Sequence, residues 1–209
     1  MTSRLPDRYF DRMYANADDP WQLSARWYEQ RKYAITTALL PHLRYRHAFE
    51  PGCSIGTLTE LLVQRCDHVT AVDVAEAALR TADHRLRRQN SRHRVTLSQS
   101  SLDAPWPQGP FDLVVLSEVA YYLNAGLLAA VMRRETARLA PGATIVAAHW
   151  RHDVIDYPLT GDIATDIIAA TPGLVPLGRY CDQDVVIEVF DTGSGMSVAA
   201  REGLPGASR

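Results

Sequence analysis

Residues 50–56 read Glu-Pro-Gly-Cys-Ser-Ile-Gly, after the short run His47-Ala48-Phe49-Glu50 and before Thr57-Leu58-Thr59-Glu60-Leu61-Leu62-Val63, which has helical character. A strand that enters a glycine turn and leaves as a helix constrains the chain more than any other feature. A residue without Cβ accepts positive φ and lets a ligand approach the backbone closely. A second short strand, His68-Val69-Thr70-Ala71-Val72-Asp73, follows, and then a stretch from Val74 to Arg88 with Ala75, Ala78, Leu79, Ala82 and Leu86 at helical spacing. Two strands joined through a helix are parallel, because only a long crossover brings the second back in the same direction.

The alternation continues. Val95–Ser100 reads as strand, Phe111–Leu116 as a strand buried on both faces, Ala125–Leu139 as helix, and Thr144–Ala148 as strand after the Pro141-Gly142 turn. Nearly unbroken β-branched runs are what a parallel sheet covered by helices on both faces requires. The fold class is therefore α/β, an open and mostly parallel Rossmann-like sheet. Upstream, residues 1–20 read as an irregular or partly helical stretch and Trp21–Leu40 as a helix stopped by Pro41, so 1–40 form an amino-terminal helical arm or lid. Residues 41–191 form the main domain. Within it a helix near Asp162–Ala170 precedes strands Leu174–Tyr180 and Val185–Phe190, joined as a hairpin through Asp182-Gln183-Asp184. Thr192–Arg209, with little to bury, reads as a disordered tail.

The turn itself selects a ligand. Gly52 and Gly56 supply conformational freedom, and ligands of such sheets sit beyond the carboxyl ends of the strands. Yet Ser54 stands where the dinucleotide fingerprint needs its middle glycine, and Glu50 would repel a pyrophosphate. An acid there suits a cation. Asp73 ends the second strand roughly 20 residues past Gly52, where a carboxylate accepts bonds from both ribose hydroxyls. S-adenosylmethionine, a nucleoside with a sulfonium and an amino group but no phosphate, fits both acids; a bare tight βα connection is the plain alternative.

These features resemble the class I S-adenosylmethionine-dependent methyltransferases, and more closely the nodulation protein S family of N-methyltransferases. The likeness rests on Asp19-Pro20-Trp21, Tyr28-Glu29-Gln30-Arg31-Lys32-Tyr33, the 50–56 turn, Asp73, Phe111 through Leu123 and Leu139-Ala140-Pro141-Gly142. It implies a seven-stranded sheet with the last strand antiparallel, Leu102 near the adenine, and Ser117-Glu118-Val119 facing the methionine part and the acceptor. It also implies an amine acceptor such as an amino sugar, although a fold match is not a substrate match. An O-methyltransferase is the nearest alternative, with an NAD-dependent oxidoreductase and a non-catalytic cofactor-binding domain behind it.

Methyl transfer needs an oriented acceptor and, for an amine or hydroxyl, removal of a proton. Glu118, after the buried fourth strand, and His149, at the end of the fifth, are the candidate bases; a capping carboxylate and a structural imidazole are their plainer roles. Tyr121 and Tyr122 are candidates for closing over the acceptor, or for core packing. Trp21 and Arg31 are candidates for covering the cofactor and forking onto its carboxylate, or for ordinary helix packing. No His, Cys, Asp and Glu cluster has metal-ligand spacing.

The arginines Arg85, Arg87, Arg88, Arg92 and Arg94 lack an interleaved aromatic set and read as a solvated helix surface. With 22 basic and 24 acidic residues mixed along the chain, a small molecule is expected as partner in place of nucleic acid. No apolar run approaches a membrane span, and three isolated cysteines fit a reducing cytoplasm.

Overall fold

The structure, a computed structural model, describes residues 3–207. Its main sheet begins with β1 (Tyr45–Pro51), crosses through α3 (Thr57–Arg65) to β2 (Cys66–Asp73), and through α4 (Glu76–Arg88) to β3 (Val95–Gln99). The chain then returns to the middle with β4 (Leu113–Ser117), α5 (Ala125–Thr136) and β5 (Thr144–Trp150). After α6 (Gly161–Ala169) come β6 (Val175–Cys181) and β7 (Val185–Asp191). Two helices, α1 (Asp7–Asn16) and α2 (Trp27–Ala38), precede the sheet, and a one-turn helix, α7 (Val198–Arg201), follows it.

The seven strands lie in the order β3-β2-β1-β4-β5-β7-β6. β1 to β5 are mutually parallel, and the last strand, β7, inserts antiparallel between β5 and β6. Strand order reverses between β1 and β4, which leaves a crevice beyond their carboxyl ends, the usual ligand position in such sheets. Alternate residues of the central strands feed opposite cores: Leu113 and Val115 pack with Leu58, Leu62 and Leu86 from α3 and α4, whereas Val114 and Leu116 pack with Leu128, Met132 and Ile168 from α5 and α6. Both faces are therefore dry, as the β-branched runs require.

Two local readings change. The helix expected from Trp21 begins at Trp27, because the Asp19 carboxylate accepts the N–H groups of Leu23 and Ser24 and Gln22 adopts φ 58°. Capping a turn in this way competes with helix propagation. Of the tail read as disordered, residues 208–209 lie outside the described residues, and 192–207 instead continue from the β5–β7 pairing: Thr192 N–H donates to Ala143 O, and Arg201 of α7 reaches the buried Asp191 carboxylate at 3.1 Å. Polar anchors, which hydropathy does not register, hold it. Among the described residues no helix is long and apolar enough to cross a membrane.

Candidate functional site

A cavity of about 560 Å³ opens at the carboxyl ends of β1, β2, β4 and β5, within the size range of small-molecule sites. Its floor is the 50–56 turn. Gly52 has φ 72°, and a Cβ there would meet Val119 Cγ2 at 2.9 Å, so this residue must be glycine for the turn to lie against the segment after β4. Ser54 is also left-handed, at φ 51°. This places its N–H 2.8 Å from Asp73 Oδ2, while the Ala75 N–H lies 2.9 Å from Oδ1. Burial pushes the Asp73 carboxyl up and these backbone donors pull it back, so the group is fixed in place with lone pairs left for a ligand.

Glu50 faces the same cavity, fully buried, with its carboxylate accepting from Thr59 Oγ1 at 2.6 Å. Burial raises its pKa to about 8 despite that bond, with the Asp73 charge adding to the rise. A carboxyl held this far up gains most from a cationic ligand, which would stabilise its ionised form. Leu102 and Ser117 line the cavity beside these acids.

The amino-terminal arm forms the roof. Leu5 N–H bonds to Tyr122 O at 2.9 Å and Asn124 N–H to Ser3 O at 2.8 Å, which ties the start of the arm to the segment after β4. From there Phe10, Tyr14 and Trp21 turn into the cavity wall, Tyr14 bonding Ser54 Oγ and lying edge-on to Trp21 at 5.5 Å. The arm presents two arginines to the cavity, Arg4, which is paired with Asp7 and Asp103, and Arg26.

Where α2 meets the segment after β4 stands a buried ionic group. Lys32, 1% exposed, has Nζ 2.7 Å from Glu118 Oε1 and 2.8 Å from Glu29 Oε2. Glu118, with φ 54°, also receives the Tyr121 hydroxyl at 2.5 Å and the Trp150 N–H at 2.8 Å on Oε2. Burial pushes its carboxyl up, but Lys32, Tyr121 and Trp150 outweigh that and hold it below the ordinary glutamate range. Burial likewise opposes the Lys32 charge, and the two carboxylates override it. Both carboxylates face the cavity, with the lysine behind them.

Of the expected site residues, Trp21, Glu50, Gly52, Asp73, Leu102, Ser117, Glu118, Tyr121 and Tyr122 line this one cavity. Three do not. Arg31 turns outward to the β6–β7 hairpin, where it pairs with Asp182 at 2.8 Å and with the Tyr180 hydroxyl, so it is withdrawn from any cofactor carboxylate. His149 is fully buried on the α6 side of β5, its Nδ1 3.1 Å from Thr165 Oγ1. Burial lowers it to about 4, so it is neutral and lies behind Tyr121, 5.4 Å away between ring centroids, without reaching the cavity. Gly56 packs against Ala82, where a Cβ would lie at 3.1 Å, and starts α3 without lining the site.

Sequence reasoning missed Tyr14, Arg26, Tyr28, Glu29 and Lys32. The α2 segment from Tyr28 to Tyr33 held the signal, since Glu29 and Lys32 stand three apart on one helical face. Among the described residues no three His, Cys, Asp or Glu side chains group to hold a metal ion.

Residues 8–157 match the family Nodulation protein S (NodS). Nodulation protein S of Rhizobium tropici is 34% identical over 109 residues, 52% of this chain and 44% of that protein. The Bradyrhizobium diazoefficiens protein of the same name is 32% identical over 142 residues, 66% of this chain and 65% of that protein. The chain thus spans less than two thirds of the length of these curated relatives. Among solved structures, the N-methyltransferase NodS of Bradyrhizobium japonicum WM9 in complex with S-adenosyl-L-homocysteine superposes with a TM-score of 0.76 at 23% identity, over 88% of this chain and 96% of that one. At that identity the likeness speaks for the fold. With the family match covering the arm, the turn, Asp73 and the Glu118 segment together, the chain belongs to the nodulation protein S family.

Proposed function

We propose that the chain is an S-adenosylmethionine-dependent methyltransferase that methylates the amine of a small polar acceptor such as an amino sugar. Three buried acids, Glu29, Glu50 and Asp73, and the half-buried Glu118 converge on one cavity at the carboxyl edge of the sheet, and that observation carries the reading. Such a wall selects cations. When bound, S-adenosylmethionine supplies a methyl group already activated on a sulfonium.

In this reading Asp73 takes the ribose hydroxyls, Leu102 the adenine, and Glu50 and Ser117 the charged methionine portion, all four lining the cavity. Arg26 takes the carboxylate role that Arg31, tied to the hairpin, cannot fill. Trp21 and the arm of residues 1–40 close over the cofactor and exclude water, while residues 41–191 carry the binding machinery. Tyr121 and Tyr122, packed on Tyr157 at 5.0 and 4.9 Å, form the wall against which the acceptor is oriented. A cytoplasmic location fits a methyl donor made inside cells.

Calorimetric titration with S-adenosylhomocysteine and with NAD tests the cofactor, and transfer of labelled methyl to glucosamine, putrescine and catechol tests the acceptor. The reading expects S-adenosylhomocysteine alone to bind, Asp73→Ala to weaken it by about 1.5–3 kcal/mol, and the amines to be methylated. Binding of NAD instead, or transfer confined to catechol, overturns it.

A further inference from the structure

The two carboxylates that share Lys32 are not equivalent. Glu118 is saturated: the Lys32 ammonium on Oε1, and the Tyr121 hydroxyl and Trp150 N–H on Oε2. The Tyr33 hydroxyl on its own helix favours the ionised Glu29, whose cation contact is its share of Lys32. That contact, 2.8 Å to Oε2, lies off the hydrogen-bonding direction, so Oε2 finds no hydrogen-bond partner among the described residues. The adjacent Tyr28 hydroxyl, buried in the same wall, finds none either. Two buried polar groups of residues that line the one cavity thus have capacity left over, and such groups are normally satisfied by a ligand or water.

We propose that Glu29 takes the proton from the acceptor amine, with the Tyr28 hydroxyl holding the amine against it and Glu118 acting only as the fixed anion that keeps Lys32 charged. The inference rests on the methyltransferase reading above. An acceptor arriving as R–NH₃⁺ gives one proton to Glu29. The freed nitrogen lone pair forms the N–C bond, the S–C bond breaks with its pair staying on sulfur, and Glu29 releases its proton to solvent.

The groups around Glu29 support this direction. Burial raises its carboxyl; Lys32 and Tyr33 on its own helix oppose the rise, and Glu118, across from β4, adds to it. Tyr28 stays protonated because burial raises its phenol, with Glu118, Glu29, Asp184 and Asp182 adding to the rise, and its neutral hydroxyl oxygen accepts an N–H of the amine, leaving the nitrogen lone pair free. A carboxyl above the ordinary glutamate value is a better proton acceptor than Glu118, which is held below it.

Glu29→Gln is the test. At pH 7 its turnover of putrescine, almost wholly ammonium there, should fall about 10²-fold or more, and then rise tenfold per pH unit as free amine replaces ammonium, while glucosamine, a weaker base already partly free at pH 7, should lose less. The affinity for S-adenosylhomocysteine should stay within twofold. A loss equal at every pH marks a packing role and overturns the proposal, as does a Glu29→Gln enzyme with the wild-type profile. Independently of turnover, the ¹³C resonance of the Glu29 carboxyl should titrate above that of an exposed glutamate; a midpoint below that reference also overturns it. No transfer to any amine by the wild type, with S-adenosylhomocysteine still bound, identifies failure of the acceptor reading instead.

Discussion

Replacing Lys32 by Met keeps the length and much of the volume of the side chain while deleting its charge. Lys32 is 1% exposed and lies within 2.7 and 2.8 Å of two carboxylates that have no other cation at that distance among the described residues. Removing one partner of a buried ion pair costs about 3–5 kcal/mol, because the remaining charge is left without compensation. For a domain of this size that lowers Tm by roughly 6–20 °C.

The pH dependence carries the diagnostic sign. In the wild type the lowered Glu118 carboxyl contributes stability that is present above 4.5 and lost as pH falls through its folded value. In Lys32→Met the leading lowering influence is gone, burial dominates, and both carboxyls move up. Their contribution is then present at acid pH and lost as pH rises. Urea unfolding at pH 7 and pH 5 should show the variant's deficit shrinking at pH 5. Adding Glu118→Gln should cost less than the sum of the single changes, since the two residues share one interaction. A deficit below about 1 kcal/mol at pH 7, equal at both pH values, would refute the reasoning, as would full additivity.

Two further outcomes follow from the same wall. Glu50, held up to about 8 by burial, gives the ligand-free protein stability that is lost as pH rises from 4.5 through 8, at a slope of up to about 1.4 kcal/mol per unit. Glu50→Gln should flatten that decline in urea unfolding at pH 5 and pH 8, and an unchanged slope would remove Glu50 as its source. Calorimetry should find that Arg26→Ala weakens S-adenosylhomocysteine by about tenfold, a loss near the low end for a charged hydrogen bond at an exposed site, while Arg31→Ala leaves it within twofold. The reverse ranking would return the carboxylate role to Arg31.

What the sequence made legible was local. Glycine at 52, an acid on either side of the crevice and alternating strand and helix periods are short-range signals, and they were enough to place β1, α3, β2 and the floor of the cavity. The Lys32 end of the cavity depends on contacts distant in sequence. Lys32 meets Glu118 across 86 residues, and Arg31 meets its hairpin partners across about 150. No periodicity encodes such pairings. His149 failed for another reason: β5 is buried on both faces, so it lacks the polar–apolar alternation that would have told which way each side chain points. Odd positions of that strand turn toward α6, and His149 goes with Ile145 and Ala147. The tail was misread because Asp191 and Arg201 hold it by charge where composition offered nothing to bury.

Glu118 combines two demands in a single position. Its left-handed backbone, at φ 54°, costs roughly 1–2 kcal/mol for any residue with a Cβ. Glycine would relieve that cost and delete the carboxylate that Lys32, Tyr121 and Trp150 all require. Asparagine, the other residue at ease in that conformation, is too short and uncharged. Stabilising substitutions selected for heat resistance should therefore accumulate around this position and avoid it. A variant library sorted for folding alone should already be depleted of glycine at 118, because the roughly 1–2 kcal/mol of backbone strain it relieves is smaller than the about 3–5 kcal/mol lost with one partner of a buried ion pair.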